Sequence, residues 1–169
     1  MGIIKGLFLI VIFGLAVYIG NSKASQYINR LKELISIKSA LNIIENKIRF
    51  TQVPLKEIFK HIAENCSENN IKNIFQILNS GTSNNIHKDW ENTIKSTKSN
   101  LNEEDKKILI DMGKILGTTD VDGQVSNIKI TSSFIDRQIE KAEEEKEKNV
   151  KMFRTLGIVS GLTIIIILI

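Results

Sequence analysis

The feature that most constrains this chain is the segregation of its charge. Residues 2–20 hold a single charged side chain, Lys5, and Leu156 to Ile169 hold none, whereas all 19 acidic residues lie between these two apolar ends. Nineteen helical residues extend about 28 Å, close to the roughly 30 Å hydrocarbon thickness of a bilayer. The C-terminal run is shorter, and taking in Met152 to Thr155 brings it to about 27 Å. Arg154 would then snorkel to the interface. The chain is therefore expected to hold a first membrane helix over residues 1–21, a helical domain over 22–151 and a second membrane helix over 152–169.

The flanking charges predict an orientation. Lys23, Arg30, Lys32 and Lys38 follow the first span, and Arg137, Lys141, Lys146, Lys148, Lys151 and Arg154 precede the second. The positive-inside tendency puts the domain between them in the cytoplasm. A different reading takes Lys5 and Gly6 to Ile19 as a signal peptide, with Ser22-Lys23-Ala24 as the cleavage site. The product would be an exported envelope protein held by its tail. Both ends also carry small residues four apart: Gly2 and Gly6, Ala16 and Gly20, and Gly157 and Gly161. Such faces let helix backbones approach closely, so Gly157 and Gly161 are candidate membrane-helix packing residues.

The interior reads as all-α, a bundle of about six helices, with no alternating run that suggests a sheet. Ile28, Leu31, Ile35, Leu41, Ile44 and Ile48 are expected on one face of a helix that continues the first span. After a break over Phe50 to Val53, Pro54 suits the first position of a new helix. Leu55, Ile58, Phe59, Ile62 and Ala63 then follow helical spacing, as do Ile71, Ile74, Phe75 and Leu78. Ser80-Gly81-Thr82-Ser83 reads as a turn, and Ile86, Trp90 and Ile94 share the next face. Asn102 is expected to cap a helix whose first turn holds Glu103, Glu104 and Asp105, acids suited to the positive end of the helix dipole. Its apolar stripe, Ile108, Leu109, Met112, Ile115 and Leu116, ends at Gly117, which tolerates a left-handed conformation. Asp120 caps the last helix, so Met112 to Asp120 forms a tight corner. Val121, Val125, Ile128, Ser132, Ile135, Ile139 and Ala142 form a seam on that helix. Glu140 to Lys151 follows as a solvated stalk with i, i+4 pairs such as Glu144 with Lys148.

Chemistry is sparse. Excluding Lys5, 22 basic residues face 19 acidic ones, a net charge of +3 with the signs interleaved, which does not suggest nucleic-acid binding. There is no phosphate-loop motif. His61, His87 and the single Cys66 lack metal-ligand spacing, so no cofactor or metal site is expected. Ser160 has no base nearby and is expected to serve helix packing. Glu143, Glu144, Glu145 and Glu147 point around a helix instead of converging, so a catalytic pair is not expected. As a group they are a candidate docking surface for a basic partner.

Taken in order, Pro54-Leu55, Trp90, Leu116-Gly117 with Asp120 and Gln124, the charged helix, and Leu156-Gly157 with Gly161 resemble the stage III sporulation protein AB family over the whole chain. The resemblance implies a subunit of a secretion-like channel assembly in the mother-cell membrane facing the forespore of an endospore-forming bacterium. It implies a helical domain similar to the cytoplasmic domains of the type II secretion system F protein. It further implies a cytosolic secretion-type ATPase of the stage III sporulation protein AA kind and other membrane subunits as partners. Gly117, Asp120 and Gln124 become the structural corner of that domain.

Overall fold

The computed structural model describes residues 2–51, 53–81 and 85–168, with side chains from Gly6 onward. Among the described residues there are six α-helices and no strand: α1 (Gly2–Phe50), α2 (Leu55–Asn65), α3 (Asn69–Ser80), α4 (Ile86–Ser96), α5 (Glu103–Gly113) and α6 (Val121–Leu168). The chain is all-α. Thr82 and Ser83 of the expected turn lie outside the described residues; Ser80 ends α3 and Gly81 follows as its C-cap. The first and last helices are each long and apolar enough to cross a membrane. Two compact units result, residues 32–140 and, separately, residues 1–31 with 141–169.

The 32–140 unit is built on side-chain burial. Helix α2 packs on α3, α3 on α4 and α4 on α5. Ile58, Phe59 and Ile62 of α2 and Ile71, Ile74, Phe75 and Leu78 of α3 are buried on the faces their spacing predicts. Phe59, Phe75 and Trp90 form a three-ring cluster with centroids 5.9, 5.9 and 6.3 Å apart, at the tilted and edge-on angles that aromatic quadrupoles favour. Buried in that cluster, the indole N–H of Trp90 still has a partner, donating to the Leu109 carbonyl at 2.7 Å. Beside Phe75 and Trp90 lies a small apolar void of about 10 Å³, lined also by Ile71, Ile74 and Leu109.

Four local expectations shift. The buried face of α1 in this unit is Leu34, Ile37, Leu41, Ile44 and Ile48, whereas Ile35 is 50% exposed. The alternating three- and four-residue steps from Leu34 set the stripe, and Ile35 falls one position off it. Pro54 is the N-cap of α2 and not its first helical residue: its ψ of 142° is extended, and its carbonyl accepts from the Glu57 and Ile58 N–H groups. Helix α5 stops at Gly113, four positions before Gly117, and Gly113 lies against Trp90. A Cβ there would sit 2.2 Å from Trp90 Cδ1. The chain then descends through three-residue turns, with Ile115 N–H donating to Met112 and Thr118 N–H to Ile115, leaving Ile115 37% exposed. Finally, Asp105 does more than favour a dipole. It is fully buried and closes a capping box, its carboxylate accepting from Asn102 N–H at 3.0 Å while Asn102 Oδ1 accepts from Asp105 N–H at 2.8 Å.

Candidate functional site

Three places stand out, two of them built on residues singled out in the sequence. The first is the corner before α6. Gly117 has φ +80°, a left-handed conformation that suits glycine. Its N–H donates to Gln124 Oε1 at 3.0 Å, and Gln124 Nε2 donates to the Thr119 carbonyl at 2.9 Å, so one side chain spans the turn. Asp120 Oδ1 accepts from Gly123 N–H at 3.0 Å as the cap of α6. Gly123 was not evident in the sequence. A Cβ there would meet Asp120 Oδ1 at 2.8 Å and Thr119 Oγ1 at 2.9 Å, so a larger residue would have to displace the capping carboxylate. Pro54 and Leu55 come from far upstream and meet Gly117 and Gln124 at a single hollow of about 350 Å³, walled also by Ile48, Val53 and Val121. Beside Thr51, at the end of α1, Phe50 is 74% exposed. Two motifs that were separate in sequence are thus one surface.

The second place is a buried carboxylate that sequence reasoning missed. Glu33 is fully buried in the 32–140 unit. Its Oε1 accepts from Asn70 Nδ2 and from Asn100 Nδ2, both at 2.6 Å, and its Oε2 accepts from Asn100 N–H at 2.7 Å. The acid fastens α1 to the start of α3 and to the loop before α5. Two asparagines far along the chain gave no local signal of it. Histidine and cysteine play similar local parts: His87 Nδ1 donates to the Gly113 carbonyl at 2.6 Å, and Cys66 Sγ lies 3.1 Å from Ser36 Oγ. Among the described residues no three metal-ligating side chains gather.

The third place lies in the unit formed by residues 1–31 and 141–169. Here α1 and α6 meet along small residues. A Cβ on Gly20 would lie 2.6 Å from the Phe153 carbonyl oxygen and 2.9 Å from Gly157 Cα. One on Gly157 would lie 3.0 Å from the Ala16 carbonyl oxygen, and one on Gly161 would lie 2.7 Å from Phe13 Cδ2. Gly157 and Gly161 are thus both buried in the seam, Gly157 against the backbone of α1 and Gly161 against the Phe13 ring. Gly6, by contrast, faces open space. Ser160 is also off the seam: it is exposed, and its hydroxyl donates to its own helix at the Gly157 carbonyl, so it does not serve packing between helices. Tyr27 stacks on Phe153 at 5.9 Å, and Arg30, itself buried, donates to Glu145 at 2.8 Å. That ion pair divides the acidic run. All four acids are exposed, but Glu145 is engaged by Arg30, which sets it apart from Glu143, Glu144 and Glu147. The expected Glu144–Lys148 pair is not formed; both side chains extend into solvent, where such a pair would contribute little.

These features span the chain from end to end, as does its match to known proteins. The Stage III sporulation protein AB family matches residues 5–169. The chain belongs to that family. A curated relative, the Stage III sporulation protein AB of Bacillus subtilis (strain 168), is 26% identical over 155 residues, covering 88% of this chain and 90% of the relative. No solved structure matches. The family gives the chain a role in sporulation.

Proposed function

We propose that the chain is a non-enzymatic platform subunit of a secretion-like channel assembly in the mother-cell membrane. The helical domain lies in the cytoplasm and docks a cytosolic secretion-type ATPase of the stage III sporulation protein AA kind, while the apolar ends meet other membrane subunits. The observation that carries this reading is the glycine seam between two helices each able to cross a bilayer. Lipid supplies little hydrophobic drive for helices to associate, so close backbone packing is the form that a two-span anchor takes. The seam also weighs against the exported alternative. Cleavage after Ala24 would strip Gly157 and Gly161 of Phe13, Ala16 and Gly20. For the partner, the exposed Glu143, Glu144 and Glu147 offer negative charge that a basic face can read.

Topology is the first test. With Cys66 replaced by Ser and a cysteine placed at Glu144, a membrane-impermeant maleimide should label only lysed cells; labelling of intact cells would refute a cytoplasmic domain. For the docking face, reversing Glu144 and Glu147 to Lys should cut recovery of the ATPase in pull-down by several-fold at low salt, with thermal unfolding unchanged. Equal recovery would move the docking surface elsewhere, with the hollow at Pro54, Leu55, Gly117 and Gln124 the next face to alter.

A further inference from the structure

The seam glycines are explained by close packing, but Gly14 is not. It sits in the same apolar half of α1, and a Cβ there would meet nothing within 4 Å. What its missing side chain leaves is space. Gly14, Val17 and Ile158 floor an open groove of about 380 Å³ between α1 and α6, and Tyr18, Asn21 and Arg154 stand at the same groove. Apolar and polar lining are segregated along α1: Gly14 and Val17 come first, and Asn21 follows at the end nearer the charged sequence. Arg154 occupies the corresponding position on α6, before Ile158. Tyr18 is 71% exposed, as an aromatic ring at a membrane–water boundary would be.

Arg154 is the chemically unused group here. It is exposed and makes no ion pair among the described residues, so its guanidinium fork is free to take an anion. A neighbouring hollow of about 340 Å³ on α6 adds Lys146 and Lys151 to Arg154, with Glu147 the one acid lining it. An apolar trough that ends in an unpaired arginine, beside two lysines, matches a molecule with a hydrocarbon chain at one end and a phosphate at the other. Guanidinium and phosphate pair in a bidentate geometry that a zwitterionic headgroup offsets with its own cation.

We propose that this groove binds one anionic glycerophospholipid, with an acyl chain over Gly14 and Val17 and the phosphate held by Arg154 and Asn21. This rests on the reading that the apolar ends cross a membrane.

The test uses the full chain in mild detergent, offered equimolar dioleoyl phosphatidylglycerol and dioleoyl phosphatidylcholine, with retained lipid read by native mass spectrometry. Wild type should retain phosphatidylglycerol with a preference of about five-fold, the effect of roughly one cation at an anionic surface. Arg154→Gln should bring the ratio near parity. Gly14→Leu places bulk in the trough without changing charge, from a Cβ that meets nothing within 4 Å, and it should reduce both lipids while leaving their ratio unchanged. Parity in the wild type, an unchanged ratio in Arg154→Gln, or full retention in Gly14→Leu would each overturn the proposal. Flotation of the same proteins with vesicles separates the two levels. A chain that floats but shows parity loses only the lipid site, whereas a chain that does not float loses the membrane reading and the site together.

Discussion

The two units of this molecule solve the same problem, holding helices side by side, by opposite means. In residues 32–140 the contacts are large apolar side chains, with Phe59, Phe75 and Trp90 gathered ring to ring. In residues 1–31 with 141–169 the contacts are made where side chains are missing, at Gly20, Gly157 and Gly161. Removing apolar surface from water drives the first arrangement. It can do little for helices whose outer faces are as apolar as Leu7, Phe8, Ile166 and Ile167, each at least 60% exposed. There, short-range dispersion between backbones has to serve instead, and it rises steeply as helices approach. The packing style of the second unit suits helices long and apolar enough to cross a membrane.

The comparison can be broken by deleting a contact of each kind. Phe59→Ala removes a 1% exposed ring from the aromatic cluster and should destabilise the 32–140 unit by about 3–5 kcal/mol. Denaturant unfolding followed through Trp90, the single tryptophan, would read this directly. A loss under about 1 kcal/mol would mean that ring burial does not hold this unit. Gly20→Leu does the reverse, adding bulk where a Cβ would already be 2.6 Å from a carbonyl oxygen. It should lengthen the separation of spin labels at the exposed Asn21 and Thr155 in a Cys66→Ser background, while the Trp90 transition keeps its midpoint. An unchanged label distance would show that the seam does not depend on glycine.

Legibility divided along similar lines. Helical periodicity placed α2 and α3 and their buried faces, because each is short and apolar on one side only. It also found the Asn102 and Asp120 caps, which depend on neighbours three residues away. It misplaced Ile35, which follows Leu31 by four residues but lies one position off the longer stripe from Leu34 to Ile48. Glu33 could not be read at all: an acid beside Leu34 looks solvated until Asn70 and Asn100 arrive from 37 and 67 residues away. The same holds for Gly113, whose meaning is the ring of Trp90, and for Glu145, whose partner Arg30 lies 115 residues earlier. Local signals gave the elements, and what escaped were pairings that exist only once the elements meet.

The corner at Gly117 sits between these cases and carries the smallest expected effect. Gly117→Ala puts a Cβ on a residue with φ +80°, a conformation costing about 1–2 kcal/mol for an L side chain, while Leu55 Cδ1 at 3.4 Å is an ordinary contact. Gln124→Ala leaves the Gly117 N–H without its acceptor, but water reaches this exposed turn, so the loss should be about 0.5–1 kcal/mol. If Gln124 works by holding the left-handed turn, the two changes act on one structure. The double variant should then cost less than their sum by at least about 0.5 kcal/mol, measured as a cycle through Trp90 unfolding. Additive costs would mean that the glycine fixes the turn alone. Gln124 would then be present for the surface it forms with Pro54 and Leu55, and stability measurements would no longer be the place to look for its role.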